Sequence, residues 1–170
     1  MAQSGVSVSP DCIQQFNDLK LKKETKWIIY ALSDDYKEIV VEETSTDPDY
    51  SKFREKLVSA KSKDKKGKEQ IGARYAVFDV EFDAEGGAGL RNKIMFLSWV
   101  PDEAGLYVSV VRGFVKVIEL TFAFTQPRMM YSTSKEALKR SLNGIAVDIQ
   151  ANDADDIEHE NIISRVRKGR

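Results

Sequence analysis

The sequence contains few of the residues on which most catalytic and metal sites depend. Among 170 residues, cysteine and histidine occur once each, as Cys12 and His159. A disulfide needs two cysteines, and most metal sites, nucleophilic pairs and imidazole acid–base systems need a second residue of these types. The acidic residues show no spacing that singles out a carboxylate pair. We therefore expect no disulfide, no metal site, no cofactor and no catalytic residues.

The chain also lacks a strong net charge and a long uninterrupted apolar run. Lysine and arginine number 26 against 27 acidic residues, so no general attraction to nucleic acid is expected. The most apolar stretch, residues 105–126, contains three charged residues, which would be costly in a helix that spans lipid. The first residues do not resemble a secretory signal. Length and composition therefore predict one soluble domain in a reducing compartment.

Apolar periodicity and capping residues predict alternating helices and strands. Proline follows a capping residue at 9–10 and again at 47–48, a pattern typical of helix starts. Thr133 and Glu136 have the spacing of a capping box, which predicts a third helix that ends before Gly144. Strands are predicted at 27–32, 38–43, 74–82, 90–99 and 148–151, and a closing helix after the acidic residues at 153–156. This order predicts an α/β (α+β layered) domain with a mixed sheet between helices.

Each predicted helix has a clear apolar face. It consists of Ile13, Phe16 and Leu19 in the first helix, of Tyr50, Phe53 and Leu57 in the second, and of Ile157, Ile162, Ile163 and Val166 in the closing one. In the third helix, positions advance by about 100° per residue. The side that packs consists of Ala137, Leu138, Ser141 and Leu142, and the opposite, basic side consists of Lys135, Lys139 and Arg140. Taken alone, this pattern favours a solvated basic face, supported by a pair between Glu136 and Arg140, over a binding face.

Several strings of the sequence occur together, and in the same order, in one known family. They include Ser4-Gly5-Val6, the run Arg74-Tyr75-Ala76-Val77-Phe78-Asp79, Trp99-Val100-Pro101-Asp102, and the long segment from Met130 to Arg140 that continues to Gly144. On these strings the chain resembles the actin-depolymerising factor/cofilin family, most closely the fungal cofilins. The resemblance covers residues 4–168 as a single domain, with insertions at about 59–72 and 105–126. It implies the actin-depolymerising-factor homology fold, a mixed central sheet of about five strands flanked by helices on both faces.

The resemblance also implies a function. Members of the family bind actin monomers and filament sides, sever and depolymerise filaments, and so control actin turnover in the cytoplasm and cytoskeleton. It implies a monomeric protein that is not an enzyme. The residues that match the contact shared by monomer and filament binding are Ser4, Gly5, Arg128, Lys135, Glu136, Lys139 and Arg140. Those that match the contact with a second subunit, present only in the filament, are Arg91, Lys93, Arg165 and Lys168.

Two further properties follow from the resemblance. Ser4 matches an N-terminal serine that many members use as an inhibitory phosphorylation site, where added negative charge would oppose docking on an acidic actin surface. Lys135, Lys139 and Arg140 match a basic surface that also binds phosphoinositide headgroups. The chain departs from the family pattern at Ser164, where a glutamate often precedes the arginine. That departure concerns the filament-specific residues of the closing helix.

Two other functions remain open from the sequence. A glia-maturation-factor-like protein has the same fold but acts on the actin branching complex, and Arg91, Lys93 and Ser4-Gly5 argue against that alternative. A phosphoinositide-binding module without actin activity would need only the basic helix face and the lysine-rich stretch near residues 61–68. That stretch is expected to be a flexible loop, with a nuclear-import signal and hence a nuclear location, or an added lipid contact, as alternatives.

The insertion at 105–126 has an unusual composition for a surface connection. It is rich in valine and phenylalanine and poor in turn residues, whereas ordinary insertions are polar. One interpretation is an added strand or hairpin near the sheet edge. The other is a retained intron translated in frame, since a segment that ends in Gln126 is compatible with a CAG acceptor.

Overall fold

The computed structural model describes residues 5–63, 69–83, 89–102, 108–111, 114–117 and 125–169. The helices are α1 Pro10–Lys22, α2 Tyr50–Val58, α3 Thr125–Ser141 and α4 His159–Lys168, with one 3₁₀ turn at Ala154–Ile157. The strands are β1 Ser7–Val8, β2 Trp27–Leu32, β3 Glu38–Ser45, β4 Lys61–Lys63, β5 Glu69–Ile71, β6 Arg74–Asp83, β7 Leu90–Trp99, β8 Val108–Val111, β9 Phe114–Val117 and β10 Val147–Ala151.

Six strands form the central sheet, in the order β1-β3-β2-β6-β7-β10. The pairs β1·β3 and β7·β10 are parallel, and the three inner pairs are antiparallel. The sheet is therefore mixed, as expected. It has one strand more than the five predicted because the two-residue β1 adds to the edge beside β3. At the opposite edge, β10 pairs with β7 from Val147↔Met95 to Ala151↔Trp99.

Helices cover both faces of the sheet because side chains alternate along each strand. Tyr75 and Val77 of β6 pack with α1 and α3 in one core, whereas Ala76 and Phe78 pack with α2 and α4 in the other. Large aromatic residues fill both cores, among them the fully buried Phe53. Burial of each such side chain contributes about 1.5–3 kcal/mol relative to exposure. The predicted layered α+β class is confirmed.

The first two helices differ in how well their sequence patterns predict their ends and faces. In α1 the buried positions are Cys12, Phe16 and Leu19, whereas Ile13 is 37% exposed. Phe16 and Leu19 are therefore buried as predicted, but Cys12 takes the place of Ile13 because it continues the four-and-three spacing of the buried positions. Ser9 precedes α1 but its side chain makes no capping hydrogen bond. In α2 the cap is Asp49, which accepts a hydrogen bond from the Ser51 amide and lies two residues after the predicted Asp47, whereas the three predicted apolar residues are buried.

The predicted capping box of α3 is wrong. The helix begins at Thr125, and Thr133 lies within it, where its hydroxyl donates to the Met129 carbonyl at 2.9 Å. A serine or threonine inside a helix commonly makes this backward bond. Pro127 lies in the first turn, where the missing amide proton costs little. The end is as predicted, since Gly144 follows the helix with a φ of +117°, a backbone conformation that favours glycine.

The lysine-rich stretch was predicted to be a flexible loop, but its flanks pair as the antiparallel strands β4 and β5. Arg74, which is 5% exposed, holds the base of this hairpin. It makes two hydrogen bonds to the Glu42 carboxylate, at 2.6 and 2.8 Å, and donates to the Ser62 hydroxyl at 2.9 Å. Gly72 leaves room for this guanidinium, since a Cβ there would lie 2.6 Å from it. Residues 64–68, which carry three of the lysines, lie outside the described residues.

The two remaining predictions concern the second insertion and the closing helix. Within 105–126, β8 and β9 pair as an antiparallel hairpin, as the added-hairpin interpretation expects. The intron hypothesis is a statement about the transcript and stays a prediction. The closing helix is divided at Glu158 into the 3₁₀ turn and α4, and its apolar residues Ile157, Ile162 and Val166 are buried. None of the described helices is long and apolar enough to cross a membrane.

Candidate functional site

The basic side of α3 faces the edge strand β10. Lys135 and Lys139 lie one turn apart on the helix, and both ammonium groups contact the carboxylate of Asp148, at 3.0 and 2.7 Å. The two lysine side chains are only 16% and 25% exposed, and Asp148 is 32% exposed. The prediction that both lysines project freely into solvent is therefore wrong. Sequence reasoning missed Asp148 because the pairing depends on how α3 lies across β10.

The charges of this trio stabilise one another. Burial alone would raise the pKa of the Asp148 carboxyl, but hydrogen bonds from Lys139 and Lys135 outweigh it and hold the pKa below its ordinary value. The hydrogen bond to Asp148 raises the pKa of Lys139. Asp148 and Lys139 are therefore both ionised around neutral pH. The trio carries one net positive charge instead of two, which leaves a weaker basic surface than the helix sequence suggests.

The other charged residues of this face are differently placed. Arg140 is exposed. Glu136 was predicted to pair with it, but in the structure Glu136 lies 3.4 Å from Lys139 instead, at i,i+3. No Glu136–Arg140 ion pair occurs among the residues that the structure describes. Arg140 is therefore the basic residue of this helix most available to a partner.

The start of α3 adds a second group of exposed residues. Arg128 forms an ion pair with Asp102 at 2.8 Å and donates to the Asp102 carbonyl at 3.1 Å. These bonds join the two sides of the second insertion. Beside Arg128, the side chain of Met129 is 55% exposed. An exposed methionine next to a basic residue is typical of adaptable binding surfaces, and the sequence analysis had passed over it.

Gly5, the first residue that the structure describes, lies close to this face. Gly5 is exposed with a φ of +67° and has open space around it. Two residues later, β1 pairs with β3 and lies next to α3. The structure therefore brings Gly5 to the same side of the molecule as α3. Ser4 lies outside the described residues.

A second basic surface forms where β7 begins and α4 ends. Arg91 and Lys93 lie on the face of β7 that carries Met95, which is the side covered by α4. Arg91 and Lys168 are exposed, whereas Lys93 is half-buried and donates to carbonyl groups at the end of α4. Arg165 lies 3.4 Å from Asp156 and also donates to the Gln150 carbonyl. The four residues predicted for this surface thus come from neighbouring parts of two elements.

Comparison with known proteins agrees with the resemblance inferred from the sequence. The model of the cofilin/tropomyosin-type actin-binding protein family matches residues 5–112 and 122–167. The chain belongs to this family. The unmatched residues 113–121 fall within the second insertion. A cofilin from Gibberella zeae is 50% identical over 169 residues, 99% of this chain and 98% of the relative, and the Saccharomyces cerevisiae cofilin is 36% identical, with coverages of 99% and 97%.

Solved structures of cofilin-family proteins share the fold. A crystal structure of Streptomyces griseoflavus cofilin aligns with a TM-score of 0.72 at 33% identity, covering 98% of this chain and all of that one. Plasmodium berghei actin depolymerization factor 2 aligns with a TM-score of 0.69 at 26% identity, with coverages of 98% and 99%. The predicted cofilin-type fold is confirmed. These relatives lend no support to the branching-complex or lipid-only alternatives.

Two basic surfaces thus occur on one cofilin-family domain. The first consists of Gly5, Arg128, Met129, the Lys135–Lys139–Asp148 trio and Arg140, and is called the α3 surface below. The second consists of Arg91, Lys93, Arg165 and Lys168, and is called the β7–α4 surface. No group of three or more His, Cys, Asp or Glu residues that could hold a metal occurs in the described part of the chain.

Proposed function

We propose that this protein binds actin monomers and the sides of actin filaments, and that it severs and depolymerises filaments and so controls actin turnover. The observation that carries the proposal is the match to an actin-binding family over nearly the whole chain, with a cofilin that is 50% identical. The two basic surfaces described above supply the contacts. The activity requires binding only, and no reaction on a small substrate.

The α3 surface is proposed to contact the subunit that is present in both monomer and filament. Its exposed members are Arg140, Met129, Gly5 and, in part, Arg128. Basic groups around an exposed apolar side chain suit an acidic protein surface with an apolar recess, because the methionine supplies buried area and the charges supply orientation. Glu136 lies at the edge of this surface. Ser4 directly precedes Gly5, so phosphate there would add negative charge beside the contact.

The β7–α4 surface is proposed to contact the second actin subunit, which only the filament presents. Arg91 and Lys168 are its exposed charges. A protein with two such surfaces binds a filament more tightly than a monomer, because the second contact follows the first at high effective concentration. If the second contact fits only one arrangement of neighbouring subunits, binding favours that arrangement and weakens others. Severing and faster loss of subunits follow from such a shift.

We further propose that the protein is a monomer of one domain, residues 4–168, which acts in the cytoplasm and cytoskeleton and enters the nucleus. Phosphoinositide headgroups are proposed as competing ligands of the α3 surface, through Lys135, Lys139 and Arg140. A headgroup with several phosphates would compete with the single carboxylate of Asp148 for the two lysines. Lipid binding and actin binding should therefore exclude each other.

The direct test is co-sedimentation with filaments, combined with fluorescence microscopy of severing and a monomer-binding titration. We expect binding to both forms, and an increase in filament ends, in the absence of lipid. Binding to phosphoinositide vesicles without binding to actin would instead establish the lipid-only alternative. Binding to the branching complex without binding to filament sides would establish the other. Sedimentation velocity of the free protein tests the monomeric state.

A further inference from the structure

The ammonium group of Lys93 is engaged by the backbone of α4. Lys93 lies on β7, and its Nζ donates to the Val166 carbonyl at 2.8 Å and to the Gly169 carbonyl at 2.7 Å. The same Nζ lies 5.4 Å from the centre of the Phe82 ring. Two of its three donors and its favourable aromatic contact are thus used within the molecule. The family resemblance predicts instead that this side chain contacts a second actin subunit.

The two carbonyls belong to the C-terminal end of α4. The last carbonyls of an α-helix have no amide donor within the helix, and a cation near them also interacts favourably with the helix dipole. α4 ends at Lys168, so the acceptors at Val166 and Gly169 lie in and just beyond its last turn. Lys93, which lies on the neighbouring sheet, therefore caps the C-terminus of α4.

A second contact fixes the same helix end. The amide of Gly169 donates to the Arg165 carbonyl at 2.8 Å, and a Cβ on Gly169 would lie 2.9 Å from the side chain of Val147 on β10. The chain can pass this close to β10 only because position 169 has no side chain. Lys93 and Gly169 together hold the last turn of α4 against β7 and β10. Arg165 and Lys168 both lie in this last turn.

We propose that Lys93 is a positioning residue, which fixes the end of α4 and thereby presents Arg165 and Lys168 to the filament, while Arg91 is the β7 residue that makes contact itself. This inference rests on the proposed filament binding. It assigns different roles to Lys93 and Arg91, to which the family resemblance gives the same role. Both residues lie on the face of β7 that carries Met95. The distinction arises because Lys93 reaches the α4 carbonyls, whereas Arg91 lies two residues farther out on the strand and is exposed.

The test is a double-mutant comparison with Lys93→Met, which keeps an unbranched apolar side chain over Phe82 and removes the donors. Filament affinity is measured for Lys93→Met and Arg91→Ala, each alone and each in a chain that carries Arg165→Ala with Lys168→Ala. Low ionic strength keeps the weakened binding measurable. Lys63→Met, an exposed lysine on β4, is the charge-matched control. Monomer binding of every variant is measured beside filament binding.

If Lys93 acts through α4, Lys93→Met weakens filament binding about fivefold in the native background and has little effect in the doubly substituted one, because interacting sites are not additive. Arg91→Ala should weaken binding equally in both backgrounds. Equal weakening by Lys93→Met in both would show a direct contact and overturn the proposal.

Hydrogen exchange provides a readout that does not depend on actin. Lys93→Met should speed exchange of the Gly169 amide and of the last turn of α4 about fivefold, while exchange in α3 stays unchanged. Unchanged exchange at Gly169 would also overturn the proposal. If the native protein fails to bind filaments at all, the proposed function fails, yet the exchange experiment still decides whether Lys93 closes α4.

Discussion

The α3 surface and the β7–α4 surface both present lysines beside the edge strand β10, but the lysines are held by different chemical groups. On the α3 surface, Lys135 and Lys139 contact a carboxylate, Asp148. On the β7–α4 surface, Lys93 contacts two backbone carbonyls. A carboxylate carries a full charge, titrates, and competes directly with any anionic partner for the lysines. Carbonyls do none of these, so the second arrangement holds structure in place without opposing a ligand.

This difference predicts that charges on the two surfaces have different consequences when they are removed. Ions that are paired with a carboxylate can exchange that partner for another anion at modest cost, since pairs near the surface are worth about 0.2–1 kcal/mol. An ammonium that closes a helix has no such alternative. The Lys135–Lys139–Asp148 trio should therefore respond to anionic ligands and to acid pH, and the Lys93 contacts should not.

The largest effect is expected from Lys135→Ala combined with Lys139→Ala. This change removes both lysines of the α3 surface and leaves Asp148 unpaired and negative at the contact, so binding to monomers and to filaments should fall by at least about thirtyfold. Fluorescence titration with monomers and co-sedimentation with filaments measure it, and circular dichroism checks the fold. Unchanged affinity in a folded variant would remove α3 from the proposed contact.

Arg91→Ala should have a smaller and more selective effect. We expect about tenfold weaker filament binding with unchanged monomer binding, because only the filament presents the second subunit. Arg91 should be changed alone, since a simultaneous change of Lys93 would also release the end of α4. Equal losses in the monomer and filament assays would mean that the two surfaces do not divide the function as proposed.

Asp148→Asn should act in the opposite direction from the loss of the lysines. Removal of the carboxylate charge frees Lys135 and Lys139, so affinity for phosphoinositide vesicles should rise about threefold. Asp34→Asn, an exposed aspartate in the turn between β2 and β3, has the same change in net charge and should leave vesicle binding unchanged. Weaker vesicle binding by the Asp148 variant would show that the carboxylate orients the lysines instead of competing for them.

The smallest effect is the pH dependence of stability. The pKa of Asp148 is below its ordinary value, so its contribution is present above the unfolded-state pKa of about 3.9 and is lost as pH falls through the folded value. The pKa of Lys139 is raised, so its contribution is lost only at alkaline pH. Around neutral pH the contribution of the Asp148–Lys139 pair is therefore constant.

Urea unfolding between pH 3 and 8 measures this pH dependence and compares it with that of the Lys93 contacts on the β7–α4 surface. The difference in the free energy of unfolding between the native protein and Asp148→Asn should be about 1 kcal/mol or less near pH 7 and should shrink below about pH 4. The difference for Lys93→Met should stay constant over the same range, because backbone carbonyls do not titrate. A Lys93→Met difference that also shrinks in acid would contradict the contrast between the surfaces.

Much of the fold could be predicted from local sequence patterns. The bounds of β2 and β7 match their predictions because each is an apolar or alternating run that ends in turn residues. The three buried residues of α2 were likewise predicted from local spacing, although its cap, Asp49, lies two residues after the predicted Asp47. The start of α3 was mispredicted because a threonine and a glutamate three residues apart, such as Thr133 and Glu136, have the spacing of a capping box even inside a helix. Whether a threonine caps a helix or lies inside one depends on the residues that precede it.

The sequence by itself determined the family, the layered α+β class, the apolar faces of α2 and α4, and the set of basic residues from which both surfaces are built. Only the tertiary structure decided which of those residues are available. Lys135 and Lys139 meet Asp148 because α3 lies across an edge strand, and Lys93 meets Val166 and Gly169 because α4 ends beside β7. Both contacts join residues on separate elements. Local periodicity carries no information about such contacts, because their geometry is set by the packing of helices on the sheet.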